Sequence, residues 1–523
     1  MKKISLFFFL VSATLLFSAC VEKNKDSLVV GTTIDGLMTL DPAEIFEFSG
    51  MEYVDNTYNT LVVYDPKNPE SIYGEVAESW AVSEDKKTIT FKIRPNIQFA
   101  SGNMLTAHDV VFSMHRAILL GKQPSQLLTQ FGFNADNIKE RIRASDDFTF
   151  VFEMDDAYAE TFVLYCLTAN VGAIVDQKEV MSHVVNEDMG NLWLKTHHAG
   201  SGAFKLGLWK PNEVLILEAH KGYFKGAPKI NKLILQHISD VSSSILMLEE
   251  GDIDILKNID LASEQMEKLK KRMQVERVSQ GSTRYLLLNQ KNQYLRIPEV
   301  QEAIRYLIDY EGIIQNLLKE EAFIHQTFIP KGFFGALNEN PYSYNVEKAR
   351  ALLEKVGLGN TLSFTLETTN SELGQALQAS FAKGGIKLVI NLGDTKQVLT
   401  KMRERRYDIG LSVWAPDYFD PHANAATFSR NPDNSDASHE KTVAWRCSWN
   451  IPDLTKITEE AMRESDLERR KEIYHDLQKK LLASPIINIF QHDRVIVMRN
   501  NVHGIVLSNA SNKMFYESAY KAK

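Results

Sequence analysis

Two hydropathy periods meet within forty residues of this chain, and that mixture limits its folds more than any other feature. In WAVSEDKKTITFKI a polar turn at Glu84-Asp85-Lys86 precedes Ile89, Phe91 and Ile93, the alternation of a hairpin strand with one buried face. LTAHDVVFSMHRAI then sets Thr106 three residues before Asp109, a capping-box spacing that predicts a helix turning Val110, Val111, Met114 and Ile118 inward. Such a chain must cover sheets with helices, which predicts an α/β or α+β architecture. Strand-like LVVGTTI (Leu28 to Ile34) and a turn at Leu40-Asp41-Pro42 extend the mixture toward the amino end, and it continues to the other terminus without a short-period repeat or low-complexity segment. With 523 residues, 44% of them apolar and 24% charged, the chain is large enough to divide into two or more domains.

A formal net charge of −8 with no basic stripe argues against nucleic acid as a partner and leaves cationic or zwitterionic ligands compatible. The amino end is more specific. Met1-Lys2-Lys3 precedes an apolar run from Ile4 to Phe17, too short for a comfortable span and matched to a secretion signal. Ser18, Ala19 and Cys20 follow, then polar VEKNKDS. The pattern resembles a bacterial lipobox, with Phe17 standing where Leu is usual, and implies a signal peptide over residues 1–19 and a lipid on the Cys20 sulfur. Residues 20–26 would form a tether, and membrane contact would be through the lipid alone. Incidental signal cleavage nearby is the plainer alternative. Cys166 and Cys447 remain; two cysteines give no disulfide framework, and both are expected as buried free thiols.

The words of the sequence also have a familiar order. GEVAESWAVSEDKKTITFKIRPNIQFASGNMLTAHDVVFSMHRA, GSGAFKLGLWKPNEVLILEAHKGYFKGAPKINKL and LEEGDIDIL are followed by LLLNQKN, VQEAIRYLIDYEGI, FIPKG and NVEKARALLEKVGL. Together they resemble the extracytoplasmic solute-binding proteins of family 5, the peptide, oligopeptide and nickel-binding components of ABC importers. The resemblance implies a two-lobe periplasmic-binding-protein fold, type II and cluster C-like, with the ligand enclosed between the lobes. Mapped here, lobe I would comprise 27–279 plus 491–523, with an inserted subdomain about 64–196, and lobe II would be 280–490. VERVSQGSTRYLLLN and IINIFQHDRVIVM would be the crossings, being β-rich runs with polar or Gly-containing interruptions. Closure about such element ends is the general motion of periplasmic binding proteins.

The stretch VWAPDYFDPH (Val413 to His422) follows a strand-like YDIGLSV. Asp420, before Pro421 and a helical HANAATFSR, reads as an N-cap followed by Pro at the first helical position. The residues alone leave Asp417 open between a turn carboxylate and a ligand contact. The resemblance aligns WAPDY with the segment in which oligopeptide-binding relatives use an Asp three residues after a Trp to grip the ligand's α-ammonium; Trp414 and Asp417 match. Tyr418 is a candidate for the cavity wall or the neighbouring core. Phe48, beside Phe46 and Glu47, lies where relatives bring a first-lobe loop to the cleft. The resemblance also implies an Arg for the ligand carboxylate near LETTNSELGQAL, which has none, and Leu411 stands where a base would be usual. Arg284 and Arg406 could serve, although each reads first as a surface or strand-edge charge.

His422 opens a competing reading, since nickel-binding relatives carry a Pro-His pairing here. One imidazole is not a metal site, and a helix-surface or first-turn position is the plainer reading. Trp445 and Trp449 are expected in the core. No Gly-x-Ser-x-Gly elbow, P-loop, dinucleotide fingerprint or Cys-x-x-Cys is present, so no catalytic residue, metal or cofactor is expected. The acids of GDIDIL and SEQ are too commonplace to argue hydrolysis. The expected protein is a monomeric, lipid-tethered receptor at the periplasm or cell surface. It would capture a short peptide or peptide-like amine-bearing solute and deliver it to an ABC permease and ATPase complex. The alternatives are a nickel chelate, haem or another non-peptide solute, or a surface or signalling module without an importer.

Overall fold

A computed structural model describes residues 26–45, 48–257, 263–318, 321–438, 440–508 and 513–522. The expected signal peptide, Cys20 and all but the last residue of the tether lie outside the described residues, as do Phe46 and Glu47. No described helix is long and apolar enough to cross a membrane.

The local signals fold as their chemistry requires. Ala77–Val82 and Thr88–Ile93 pair antiparallel, with Trp80 opposite Phe91 and Val82 opposite Ile89. Ile89, Phe91 and Ile93 are all buried. Asp109 accepts a 2.8 Å hydrogen bond from the Thr106 backbone N–H at the start of helix Ala107–Leu120, and Gly121 closes that helix at φ 58, a left-handed conformation that glycine adopts cheaply.

Among the described residues the main sheet has eleven strands and runs through two lobes. At one end Ser27–Thr32 lies parallel to both Lys232–His237 and Ile255–Lys257, and Val214–Ala219 and Phe204–Lys210 continue the sheet antiparallel. At the other end Ser363–Thr368 lies parallel to Lys387–Leu392 and to Ile409–Trp414. Two long antiparallel strands, Gln274–Leu288 and Ile486–Met498, join the ends. They pair from Gln274↔Met498 to Ser279↔Asp493, break, and resume at Thr283↔Gln491. Gly281 sits in the break at φ +65, where a side chain would be strained. Gln491 spans it, donating to Ser279 Oγ at 2.5 Å and accepting from the Lys331 N–H at 2.7 Å.

Each lobe has its own core, and the crossing strands contribute to both. Val278 and Ile496 pack with Leu28, Val30, Leu233 and Leu235, whereas Leu286, Leu288 and Ile487 pack with Ile304, Phe364, Phe381 and Ile409. The junction between the lobes is therefore two strands wide, a geometry suited to hinge motion.

A separate four-stranded antiparallel sheet is ordered Ala77–Val82, Thr88–Ile93, Thr149–Glu153 and Ile142–Asp146. Its aromatic core, including Phe91, Phe131, Phe150 and Phe162, is continuous with Tyr418, Phe419, Phe428 and Tyr474 of the second lobe. Polar contacts edge that seam: the Ala159 N–H donates to the Met462 carbonyl at 3.1 Å, and Arg463 pairs with Asp156 at 2.9 Å. The small sheet is thus a roof over the second lobe, which its position in the sequence did not reveal. Cys166 and Cys447 are free and buried, and Trp445 is a core residue with the Arg405 guanidinium over its ring at 3.7 Å.

Candidate ligand-binding site

The carboxyl ends of the second lobe's parallel strands, the crossing strands and the roof enclose a cavity of about 1660 Å³. Ligands of open α/β sheets settle at this position, outside the carboxyl ends of the strands. Met51, Gln126, Gln130 and Tyr158 supply one wall, Arg284 and Arg494 come from the crossing strands, and Trp414, Asp417 and Tyr418 face them from the second lobe.

The strand Ile409–Trp414 ends at Trp414, and Pro416 prevents its continuation as a central strand. The next residue, Asp417, is half-buried in the cavity wall, and it forms no hydrogen bond or ion pair among the described residues. Burial alone pushes its carboxyl up to about 6. At neutral pH it is therefore a desolvated anion waiting for a cation, which is an expensive arrangement when left empty.

Asp420, three residues later, is fully employed. Its Oδ1 accepts from the His422 N–H at 2.8 Å, capping helix Pro421–Phe428. Both its oxygens also accept from Arg470, each at 2.8 Å, and the pair has essentially no exposure. Burial pulls the Arg470 guanidinium down, but Asp420 together with the nearby Tyr474 and Tyr418 more than offsets it and the net direction is up. The cap was legible in the sequence; the arginine, fifty residues away, was not.

The remaining expected residues divide. Trp414 lines the cavity, and its Nε1–H is buried without a partner. Tyr418 both lines the cavity and packs against Phe162, with ring centres 6.0 Å apart, so the two readings of it coexist. His422 occupies the first helical turn but is buried rather than on the helix surface. It packs edge-on against Phe162 at 5.0 Å, and burial first, then the Arg470 charge, drive its pKa well below the usual value. His422 nonetheless also lines the cavity, beside Asp417 and Tyr418. No group of three or more His, Cys, Asp or Glu suited to a metal occurs among the described residues. Phe48 begins helix Phe48–Thr57, but its side chain lies outside the described residues; Met51 of the same helix lines the cavity.

Arg284 corrects the expectation of a surface charge. It lines the cavity, its Nε is buried without a partner, and burial lowers its pKa with no carboxylate beside it. Arg406 is the exposed one, paired with Glu404 outside the cavity. A signal for Arg284 existed in the sequence: a base set into the apolar strand run Tyr285 to Leu288, with no acid nearby in the chain.

A family model for the bacterial extracellular solute-binding proteins, family 5, matches residues 71–436. The probable D,D-dipeptide-binding periplasmic protein DdpA of Escherichia coli is 27% identical over 517 residues, 97% of this chain and 96% of that protein. Among solved structures, the periplasmic binding protein DppA of Helicobacter pylori, in complex with the peptide STSA, superposes with a TM-score of 0.78 at 23% identity, covering 95% of this chain and 98% of that one. The ABC transporter substrate-binding protein CtaP of Listeria monocytogenes gives a TM-score of 0.81 at 19% identity, over 95% and 99% of the two chains. These neighbours carry the same two-lobe architecture. With the model match covering well over half of its residues, the chain belongs to the bacterial extracellular solute-binding proteins of family 5.

Proposed function

We propose that this protein captures a short peptide or peptide-like solute bearing a free amine and delivers it to an ABC permease and ATPase complex. The observation that carries the reading is Asp417, a half-buried carboxylate in the cavity wall with no cationic partner among the described residues. An α-ammonium completes the pair, and the relatives named for dipeptides or solved with a peptide favour that class of ligand. Capture needs no chemical step. Contacts from both walls favour the closed form by their difference in free energy between open and closed states, and closure presents the loaded cleft to the permease.

In this reading the moving bodies are residues 27–279 with 491–523, carrying an insertion at about 64–196, and residues 280–490. The break at Ser279/Thr283 opposite Asp493/Gln491 supports that division. Signal cleavage before Cys20 and its acylation hold the monomer at the membrane by lipid alone, at the periplasmic or cell surface. Native mass spectrometry of protein purified without added ligand tests the assignment: retained masses that fragment as peptides with free amino termini are expected. A retained haem or metal chelate would overturn it.

A further inference from the structure

The crossing strands pass from one lobe to the other within two residues. Gln491 still pairs with Thr283 and Phe323 in the second lobe's ladder, whereas Asp493 pairs with Ser279 at the end of the first lobe's. The fully buried Gln491 side chain reaches back across the break. Its oxygen accepts from the Lys331 N–H at 2.7 Å and its amide nitrogen donates to the Lys331 carbonyl at 3.3 Å, both within the second lobe. The same nitrogen donates to the Ser279 hydroxyl of the first lobe at 2.5 Å. The Lys331 N–H can only donate, so it fixes which end of the amide faces Ser279. Of the three bonds, only the one to Ser279 joins different lobes. On the opposite strand Gly281, at φ +65, supplies a backbone able to turn at the same level.

We infer that Gln491 is a positioning residue of capture: held by Lys331, it clips the second lobe to Ser279 and biases the protein toward its closed form. The inference rests on the two-body reading above and adds a contact at the hinge itself. Rotation about the break carries Ser279 away from Lys331. Gln491 follows Lys331, to which it is tied twice, and gives up Ser279. A buried amide hydrogen left without an acceptor is costly, so the form that makes all three bonds is favoured. Neither Gln491 nor Ser279 lines the cavity, and the clip therefore acts on affinity only through the fraction of protein that is closed.

The test is hydrogen exchange of ligand-stripped protein, read at the Ala159 amide, which donates across the seam between roof and second lobe to the Met462 carbonyl and exchanges when the lobes part. Ser279→Ala should speed that exchange about fivefold, the worth of one neutral hydrogen bond, and Gln491→Met by at least as much. Ser279→Thr, which keeps the hydroxyl, should stay near wild type. The Ser279→Ala, Gln491→Met double variant should be no faster than Gln491→Met alone, because both changes remove the same bond. Amides of the strand Ser363–Thr368, inside the second lobe, should keep their wild-type rates in Ser279→Ala; faster exchange there too would mean general loosening and overturns the clip. Phe419→Ala, which removes a second-lobe ring packed on Tyr64 and Tyr165 of the roof side, separates the remaining outcomes. An Ala159 rate raised by Phe419→Ala but not by Ser279→Ala overturns the clip and leaves the lobe motion standing. A rate raised by neither overturns the two-body motion and this inference with it.

Discussion

Asp420 holds Arg470 through two 2.8 Å hydrogen bonds in a fully buried pair, while Asp417, three residues earlier on the same loop, has no cation among the described residues. One carboxylate is structural and the other is vacant, and substitution separates them. Asp420→Asn keeps an acceptor for the His422 N–H but strands the Arg470 charge, so a loss of about 3–5 kcal/mol in unfolding free energy is expected. Chemical denaturation measures it. Asp420→Asn combined with Arg470→Met should recover much of that loss, because no unpaired buried charge remains. Equal destabilisation by the double variant would mean that the Arg470 bond to the Ala461 carbonyl, lost in Arg470→Met, dominates instead.

Asp417→Asn should do the opposite. Folding raises this carboxyl from its ordinary 3.8 to about 6, so the ligand-free fold binds a proton that the unfolded chain releases in that window. The fold therefore loses stability as pH rises through about 4 to 6, by at most ~3 kcal/mol, and is level above it. Removing the charge abolishes that loss. The variant should melt a few degrees above wild type at pH 7.5, with the difference vanishing near pH 4, while its binding of amine-bearing peptides falls severely. Scanning calorimetry at the two pH values decides; a variant less stable than wild type at pH 7.5 would give Asp417 a structural partner.

The same group sets the pH dependence of capture. Ammonium pairing requires the ionised carboxylate and a protonated amine, so affinity for a peptide with a free amine should be level between about pH 6 and 7 and decline again as the amine, with a pKa of about 8, deprotonates. Below about pH 6 it should fall by up to tenfold per unit, until the pKa of the bound state is reached. Calorimetric titration of one peptide between pH 5 and 8 checks this, with Asp417→Asn as the control that stays flat on the acid side. Affinity that rises on acidification would remove Asp417 from the site.

Much of this architecture was written in local patterns. The hairpin at Ile89 to Ile93, the Thr106/Asp109 helix start and the Asp420-Pro421 cap each depend on residues a few positions apart, and each formed as its chemistry dictates. The crossing strands were placed by the family resemblance, not by local pattern alone; both are β-rich runs with interruptions, and their mutual pairing breaks between Ser279 and Thr283. What stayed hidden depends on contacts distant in sequence. Arg470 meets Asp420 across fifty residues, Phe162 meets His422 across two hundred and sixty, and a roof that covers the second lobe leaves no periodicity in the chain it covers. Arg284 reads in the sequence as a surface charge because arginine usually is one; only the cavity shows that its Nε is buried without a partner among the described residues and that no carboxylate acts on it.

Thiol chemistry gives a compact test of burial and processing together. Burial raises both the Cys166 and Cys447 thiols well above the usual value, and only the thiolate reacts readily. Folded protein recovered from host membranes should show no reactive thiol, and two after denaturation. A third thiol in denaturant would mean that Cys20 carries no lipid on its sulfur.

Closure has its own prediction at Phe162, which is fully buried and sits 6.0 Å from Tyr418 and 5.0 Å from His422 across the seam between roof and second lobe. The Asp156–Arg463 pair at the rim of that seam is about half exposed, and such pairs contribute 0–1 kcal/mol, roughly the noise of a melting curve. The apolar seam therefore carries the closure energy. Truncating a buried Phe costs about 3–5 kcal/mol where it stays packed; in the open form the share owed to Tyr418 and His422 disappears, while the contacts with Phe131 and Tyr158 inside the roof remain. Phe162→Ala should thus shift the ligand-free protein toward the open form, seen as a larger radius of gyration by X-ray scattering, and should weaken peptide binding by the free energy now needed to close. Arg463→Ala should change neither quantity measurably. If Arg463→Ala opens the protein and Phe162→Ala does not, the rim and not the aromatic seam holds the lobes together.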